Sequence, residues 1–170
     1  DYKGIIGVVA DIIHVSKEYE IAIETALGGS ISNIVTDNEQ TAKSMIQFLK
    51  KNRFGRATFL PLTSIRGRRA ENADRICGEE GVIGLASDLI RVDSQFGHLA
   101  DYLLGRVFIV DHIDHALALA KKYRYSLRIV TLEGESLNPG GSLSGGAYKN
   151  TGNLLGRHRE MEELQKHVET

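Results

Sequence analysis

Residues 7–28 read GVVADIIHVSKEYEIAIETALG, and residues 84–105 read GLASDLIRVDSQFGHLADYLLG, an offset of 77 positions. Six of these 22 pairs are identical, among them Asp11 with Asp88. In both halves an apolar run, an aspartate, an amphipathic run and a second apolar run follow in that order. Because the same order of features recurs, the sequence favours an internal duplication.

Each copy predicts helices that alternate with strands. The first copy predicts a helix with apolar residues from Tyr19 to Leu27, a strand Ile31–Thr36, a helix capped by Asp37 or Asn38, and a strand Ala57–Leu60. The second copy predicts Ser94–Leu104 and Asp114–Tyr123 as helices, and Arg106–Val110 and Ser126–Leu132 as strands. Gly28 is a typical residue to end the first helix. In this alignment Arg56 matches Arg128.

The predicted fold class is α/β with α+β-like character, in which two pseudo-repeated strand–helix lobes form one domain. Lobe I covers residues 1–77 and lobe II covers residues 78–153. Residues 62–81, which are rich in glycine and charge, are predicted to connect the two lobes.

Residues 154–170 are predicted to begin a coiled-coil helix. Leu154, Met161 and Val168 lie seven positions apart, and Leu164 follows Met161 by three, which is the a/d spacing of a coiled coil. An amphipathic terminal helix that packs on its own domain remains the alternative. Because residue 1 is not Met and the last helix stops within its pattern, both ends are expected to continue in a longer protein.

Composition excludes several classes of protein. Lys and Arg total 21 and Asp and Glu total 22, so a uniformly basic nucleic-acid binder is excluded, although a basic patch is not. The single cysteine, Cys77, excludes an intrachain disulfide and fits a reducing compartment. The longest apolar run, residues 5–10, is too short to cross a membrane, and no secretory signal opens the chain.

The sequence predicts no active site, metal or cofactor. The DHIDH motif at residues 111–115 could suggest a metal-dependent hydrolase, but Asp111 matches Asp37, which is a predicted helix cap without a neighbouring histidine. The glycine segment 140–146, GGSLSGG, lacks the Lys and Ser/Thr of a phosphate loop and the spacing of a dinucleotide fingerprint. Its glycines favour close approach of two backbones, whereas a flexible loop or a nest of backbone N–H groups for an anion remains possible.

Several motifs resemble the hinge domain of the structural maintenance of chromosomes (SMC) family in its bacterial form. The most specific are GRATFLPL at residues 55–62 and the glycine segment 140–146. Residues 9–13, 19–29 and 130–135 extend the resemblance over the whole chain.

The resemblance implies a homodimerisation hinge, not an enzyme, with no cofactor. It implies a two-lobed ring in which lobe I of one chain meets lobe II of another. The interface is expected at Gly140, Gly141, Leu143, Gly145 and Gly146. The family implies coiled-coil arms, ATPase heads that bind kleisin-type subunits, a role in chromosome condensation and segregation, and a cytoplasmic, nucleoid-associated location.

Basic clusters predict weak, non-specific DNA binding by neutralisation of phosphates. The expected residues are Lys50, Lys51, Arg53, Lys121, Lys122, Lys149, Arg157 and Arg159. The lysines also suit a solvated helix end, where they complement the helix dipole. A stand-alone α/β module that binds an anion or another ligand at its glycine-rich loop is the alternative function.

Overall fold

In the computed structural model, the described residues are 3–147 and 154–169. Lobe I contains β1 (Ile5–Val8), α1 (Val9–Ile12), β2 (His14–Val15), α2 (Glu20–Leu27), β3 (Ile34–Thr36), α3 (Glu39–Asn52) and β4 (Phe59–Pro61). The connection contains α4 (Ala73–Cys77). Lobe II contains β5 (Val82–Leu85), β6 (Ile90–Arg91), α5 (Gly97–Leu104), β7 (Val107–Val110), α6 (Ile113–Lys122), β8 (Arg128–Thr131), β9 (Ser136–Leu137) and β10 (Leu143–Ser144). The last helix is α7 (Leu154–Glu169).

The two lobes pair their strands in the same way. In lobe I, β3 lies between antiparallel β1 and parallel β4, and in lobe II, β7 lies between antiparallel β5 and parallel β8. The Asp37 N–H donates to the Gly4 carbonyl at 2.9 Å, and the Asp111 N–H donates to the Gly81 carbonyl at 2.9 Å. The structure therefore confirms the α/β class and the duplication.

The strand register corrects one match between the lobes. Phe59 of β4 and Ile129 of β8 occupy the same place beside the central strands β3 and β7. The counterpart of Arg128 is therefore Thr58 and not Arg56. The alignment was wrong because α3 has 14 residues and α6 has 10, so the gap lies elsewhere than the similar residues suggested.

All four predicted strands are shorter than expected, and those predicted over Ala57–Leu60 and Arg106–Val110 begin only at Phe59 and Val107. The strand predicted over Ile31–Thr36 begins only with β3, because Gly28–Ser32 form a 3₁₀ helix. The strand predicted over Ser126–Leu132 is only β8, because the turn after α6 extends to Ser126, whose N–H donates to the Tyr123 carbonyl at 3.3 Å.

A small ribbon joins the lobes. His14 of β2 pairs with Arg91 of β6, and these residues are counterparts in the duplication, so the pseudo-two-fold axis of the lobes passes between them. One buried apolar cluster spans both lobes, from Val9 in lobe I to Val130 in lobe II. A second cluster, around Phe108, lies beneath α6. Because the first cluster is shared, the lobes fold against each other as one domain.

Helix α7 packs on lobe I, and its side chains are described at residues 155–156 and 159–166. Leu155 is 2% exposed within the shared core. Arg159 forms an ion pair with the buried carboxylate of Glu20 in α2, and the ring of His14 lies 2.7 Å from Glu162. The start of α7 is thereby fixed to the first lobe.

The lobes differ at one edge of their sheets. Lobe II continues beyond β8 with β9 and β10, which gives a sheet of five strands in the order β10-β9-β8-β7-β5. The lobe I sheet has three strands and ends at β4. The sequence analysis did not predict β9 or β10, which have two residues each.

Candidate dimerisation interface

The β4 edge of lobe I has free backbone groups. The Ile34 N–H donates to the Thr58 carbonyl at 2.9 Å, and the Leu62 N–H donates to the Thr36 carbonyl at 2.9 Å. Since these bonds join alternate residues of the β4 segment to β3, the backbone of Phe59 between them points outward. Within residues 3–147 no strand pairs with β4 on that side.

The β10 edge of lobe II is also open. β10 pairs with β9 through Leu143 with Leu137 and Ser144 with Ser136. The other side of β10 faces solvent, and Leu143 is 59% exposed. An exposed strand edge with an apolar side chain is a template for pairing with another strand.

Three glycines of the segment 140–146 adopt the left-handed backbone region. Their φ values are 94° for Gly140, 107° for Gly141 and 148° for Gly146. A Cβ atom at Gly140 or Gly146 would meet nothing within 4 Å, so internal space does not require glycine there. At Gly145, in contrast, a Cβ atom would lie 3.1 Å from Cγ of Glu135.

The same segment is poorly suited to hold an anion. The Gly140 N–H donates to the Tyr125 carbonyl at 2.8 Å, and the Gly141 N–H donates to the Asn138 carbonyl at 2.9 Å. Because these two donors are already used within the hairpin, they are not free to bind a phosphate, as an anion nest would require.

Apolar side chains flank the β10 edge. A groove of about 350 Å³ runs between α6 and the glycine segment, and it is lined by Leu117, Tyr125, Leu137 and Leu143. Leu117 is 40% exposed and Tyr125 is 43% exposed. Side chains of this size expose apolar area that a partner would cover.

The β4 edge has a similar groove, which the sequence analysis missed. Its volume is about 490 Å³, and Ile46, Ala57 and Phe59 line it together with Lys43 and Lys50. Ile46 in α3 is 45% exposed. Ile46 shares the apolar spacing of Ala42 and Leu49 in α3, but among the described residues no strand beyond β4 covers it.

Five of the predicted DNA-binding residues lie at the ends of two helices. Lys50, Lys51 and Arg53 are at the end of α3, and Lys121 and Lys122 are exposed at the end of α6. These two corners are equivalent in the duplication. Lys122 is paired with Glu79 at 2.7 Å, so its charge is partly neutralised.

The remaining three predicted DNA-binding residues are Lys149, Arg157 and Arg159. Lys149 and the side chain of Arg157 lie outside the described residues. Arg159 is paired with Glu20 and, at 2.7 Å, with Glu163. Two carboxylates therefore offset the charge of its guanidinium.

The DHIDH motif forms a helix cap that also clusters possible metal ligands. The Asp111 carboxylate accepts a hydrogen bond from the His112 N–H at 2.7 Å and lies 2.8 Å from Nδ1 of His115. The hydrogen bond with Asp111 raises the pKa of His115 despite the opposing effect of burial. Single ligand atoms of Asp111, His112 and His115 lie within 4.8 Å of one another.

The equivalent cap in lobe I places Thr41 where lobe II has His115. The Thr41 hydroxyl donates to Asp37 at 2.6 Å, and the Asn38 side chain accepts from the Thr41 N–H at 3.0 Å. Since lobe I forms the same cap without histidine, helix capping alone explains why an aspartate occupies position 111.

Comparison with known proteins identifies the family. A family model described as SMC proteins flexible hinge domain matches residues 2–120, which is more than half of the chain. This chain belongs to the SMC hinge domain family. The chromosome partition protein Smc of Bacillus subtilis is 46% identical over 168 residues, which cover 97% of this hinge domain and 14% of that relative. The protein of the same name from Clostridium kluyveri is 44% identical over 95% of this chain and 14% of the relative.

Solved hinge structures share this fold. The hinge domain of Geobacillus stearothermophilus SMC, an asymmetric dimer, has a TM-score of 0.89 at 40% identity and covers 98% of this chain and 67% of that chain. The Pyrococcus furiosus SMC hinge has a TM-score of 0.72 at 32% identity over 88% of this chain and 76% of that chain. The hinge spans about one seventh of the length of the curated relatives it matches. None of its described helices is sufficiently long and apolar to span a bilayer.

Proposed function

We propose that this hinge forms a homodimer in which β10 of one copy pairs with β4 of the other. The observation that carries the proposal is the pair of open strand edges, one on each lobe, each beside an apolar groove. Their exposed backbone groups and side chains, such as Leu143 and Ile46, are the features that strand addition would cover.

Two such contacts close a ring. Each chain has one β4 edge and one β10 edge, so a two-fold axis relates two identical lobe I–lobe II contacts and leaves neither of these edges free. The three-stranded sheet of one copy would join the five-stranded sheet of the other at each contact. The glycines at the β10 edge allow the backbone shape that this pairing needs, since L-residues rarely adopt the φ values found there.

In the parent protein this dimer would join two coiled-coil arms. Met161 and Leu164 of α7 are 63% and 64% exposed, and both belong to the predicted a/d stripe. An antiparallel helix packed on this stripe would bury both side chains. The arms would connect the hinge to ATPase heads with kleisin-type subunits, in a chromosome condensation and segregation complex of the cytoplasm, associated with the nucleoid.

The proposed DNA contact is weak and independent of sequence. The lysines and Arg53 at the ends of α3 and α6 provide positive charge at equivalent corners of both lobes. If about four to six phosphates are neutralised, a fourfold rise in salt should weaken binding by about two to three decades. Fluorescence anisotropy of a labelled duplex should detect this loss, and Lys50→Glu should weaken binding more than Lys17→Glu does. An affinity for the duplex that does not change with salt would contradict the proposed DNA contact.

Sedimentation equilibrium tests the dimer. At micromolar concentration the chain should have twice its mass of 18.7 kDa. A mass of one chain at all concentrations up to about 100-fold higher would contradict the proposed function.

A further inference from the structure

A second groove, of about 1,000 Å³, lies between the connection and lobe II and is rich in arginine. Five arginines line it: Arg66, Arg68, Arg69, Arg106 and Arg128. The carboxylates in its lining are Glu71 and Asp101. The sequence analysis did not connect Arg68 with Arg106 and Arg128, and the fold brings them together.

Two of the five arginines are held by the protein itself. Arg69 forms a bidentate pair with Asp88, with both distances 2.8 Å, and also contacts Asp101 at 3.3 Å. Arg66 donates to three backbone carbonyls of the preceding residues, at 3.1 to 3.3 Å. These two side chains serve the local structure of the connection.

The other three arginines have no hydrogen-bond or ion-pair partner for their side chains among the described residues. Arg128 begins β8 and pairs in register with Val107 of β7, and Arg106 immediately precedes Val107. Both arginines therefore lie at the amino ends of adjacent parallel strands.

The connection brings Arg68 to the same place. The Ala70 N–H donates to the Gly105 carbonyl at 2.7 Å. A Cβ atom at Gly105 would lie 1.9 Å from the Arg68 carbonyl oxygen, so this close approach requires glycine. The backbone of Arg68 is thereby fixed against Gly105, the residue that precedes Arg106.

Arg128 has an uncompensated charge in a partly buried position. Arg128 is partly buried, and burial lowers the pKa of its guanidinium because no carboxylate compensates for the lost water. A partly buried charge without a partner is destabilising, and a bound anion would offset that effect. The buried hydroxyl of Tyr123, which also lines the groove, has no hydrogen-bond partner among the described residues.

Lobe I has no equivalent set of charges. Ser32 and Thr58 occupy the positions that correspond to Arg106 and Arg128. A structural requirement of the repeated fold would apply to both lobes, so the arginines of lobe II are explained better by a ligand.

We infer that Arg68, Arg106 and Arg128 form a phosphate-binding site in this groove. Guanidinium groups bind phosphate oxygens through paired N–H donors, and three of them suit a ligand with several negative charges. The phosphates could belong to a nucleic-acid backbone or to a small polyphosphate. The site depends neither on the dimer nor on the lysine corners proposed above.

Isothermal titration of the protein with sodium tripolyphosphate at low salt tests the site. Arg128→Met and Arg106→Gln should each lower the affinity at least about tenfold. Arg91→Gln, which removes an exposed arginine of β6 outside the groove, should leave it within about twofold. Without ligand, Arg128→Met should melt at the same or a higher temperature, because it removes an uncompensated charge.

A second titration with a short DNA duplex distinguishes the sources of phosphate. If the variants lose binding of both ligands, the site is supported and its phosphates belong to a nucleic-acid backbone. If they lose binding of tripolyphosphate alone, the site is supported and its ligand is a small polyanion. Arg106 is exposed, so Arg106→Gln keeps the test valid if Arg128→Met does not fold. Absence of saturable tripolyphosphate binding, or equal affinity in the wild type and Arg106→Gln, would overturn the inference.

Discussion

Lobe I and lobe II have the same strand pairing and equivalent caps, but they differ beyond the last strand that they share. After β8 the chain continues into β9 and β10, whereas after β4 it turns into the connection at Pro61. One lobe thus offers an added strand and the other an uncovered edge. A duplicated fold can become self-complementary when only one of its copies is extended.

Substitution of glycines in the segment 140–146 is expected to have the largest effect on the pairing of lobe I with lobe II. If pairing requires the observed backbone, the combined variant Gly140→Ala, Gly141→Ala and Gly146→Ala should add about 1–2 kcal/mol of backbone strain to the dimer at each positive-φ position. The dimer should then dissociate roughly 100-fold to 10,000-fold more readily, as measured by sedimentation equilibrium. Gly145 is left unchanged because a side chain there would contact Glu135 within its own chain.

Gly29→Ala is the matched control for the glycine variant. Gly29 is exposed, lies outside the edge and has open space around a Cβ atom, so the dimer should be unaffected. A triple variant with the dissociation constant of the wild type would show that the β10 edge is not part of the contact.

The docking of α7 distinguishes the lobes a second time. Glu20 in α2 is buried and pairs with Arg159, whereas its counterpart in α5 is Gly97. Arg159→Ala should lower the free energy of unfolding by about 3 kcal/mol, because it leaves a buried carboxylate without this partner. Urea denaturation measures the change, and Glu20→Gln in the same background should recover part of it. Equal stability of the wild type and Arg159→Ala would show that α7 does not depend on this pair.

Leu143 tests the apolar part of the β10 edge. Leu143→Glu should weaken the dimer by about 2 kcal/mol, roughly 30-fold, since the side chain loses its burial against the partner. The stability of the isolated chain should change little, because Leu143 is 59% exposed there. Met161→Glu, at an equally exposed apolar residue in α7, should leave dimerisation unchanged in analytical ultracentrifugation. Equal weakening by both variants would contradict a specific role for Leu143.

A substitution in the helix cap of lobe II is expected to have the smallest effect, which is on the pH dependence of stability. The pKa of His115 is raised by its hydrogen bond with Asp111, so its contribution to stability is present below the unfolded pKa of about 6.5 and is lost as pH rises through the higher folded pKa. His115→Thr copies Thr41 of lobe I and should remove this pH dependence. Urea denaturation over a series of pH values from about 5 to about 9 measures it. The same change with pH in both proteins would contradict a role for His115.

The sequence was sufficient to predict the repeated core, because apolar spacing, caps and turns are local signals. The helix cap at Asp37 or Asn38 was predicted from residue type and order alone, and the structure places it at Asn38, with His112 at the equivalent position of lobe II. The domain boundaries at residues 77 and 153 stay a prediction, as do the interface glycines and the DNA-binding lysines.

Features that depend on long-range contacts were not predicted. β9 and β10 are too short to show an alternating pattern, and Ile46 has the same spacing as a core residue. The arginine groove could not be predicted either, since Arg68 reaches Arg106 only through the close contact of the connection with Gly105. Charge clusters along the chain indicate basic surface but not which side chains meet.

Cross-linking between the two edges tests the central claim most directly. Ala57 and Ser144 are exposed beside β4 and in β10, so Ala57→Cys and Ser144→Cys can be made separately in a Cys77→Ala background and treated with a short bis-maleimide. The account predicts a covalent dimer when the two variants are mixed and little product from either variant alone. Absence of product in the mixture, or equal product from one variant alone, would contradict pairing of lobe I with lobe II.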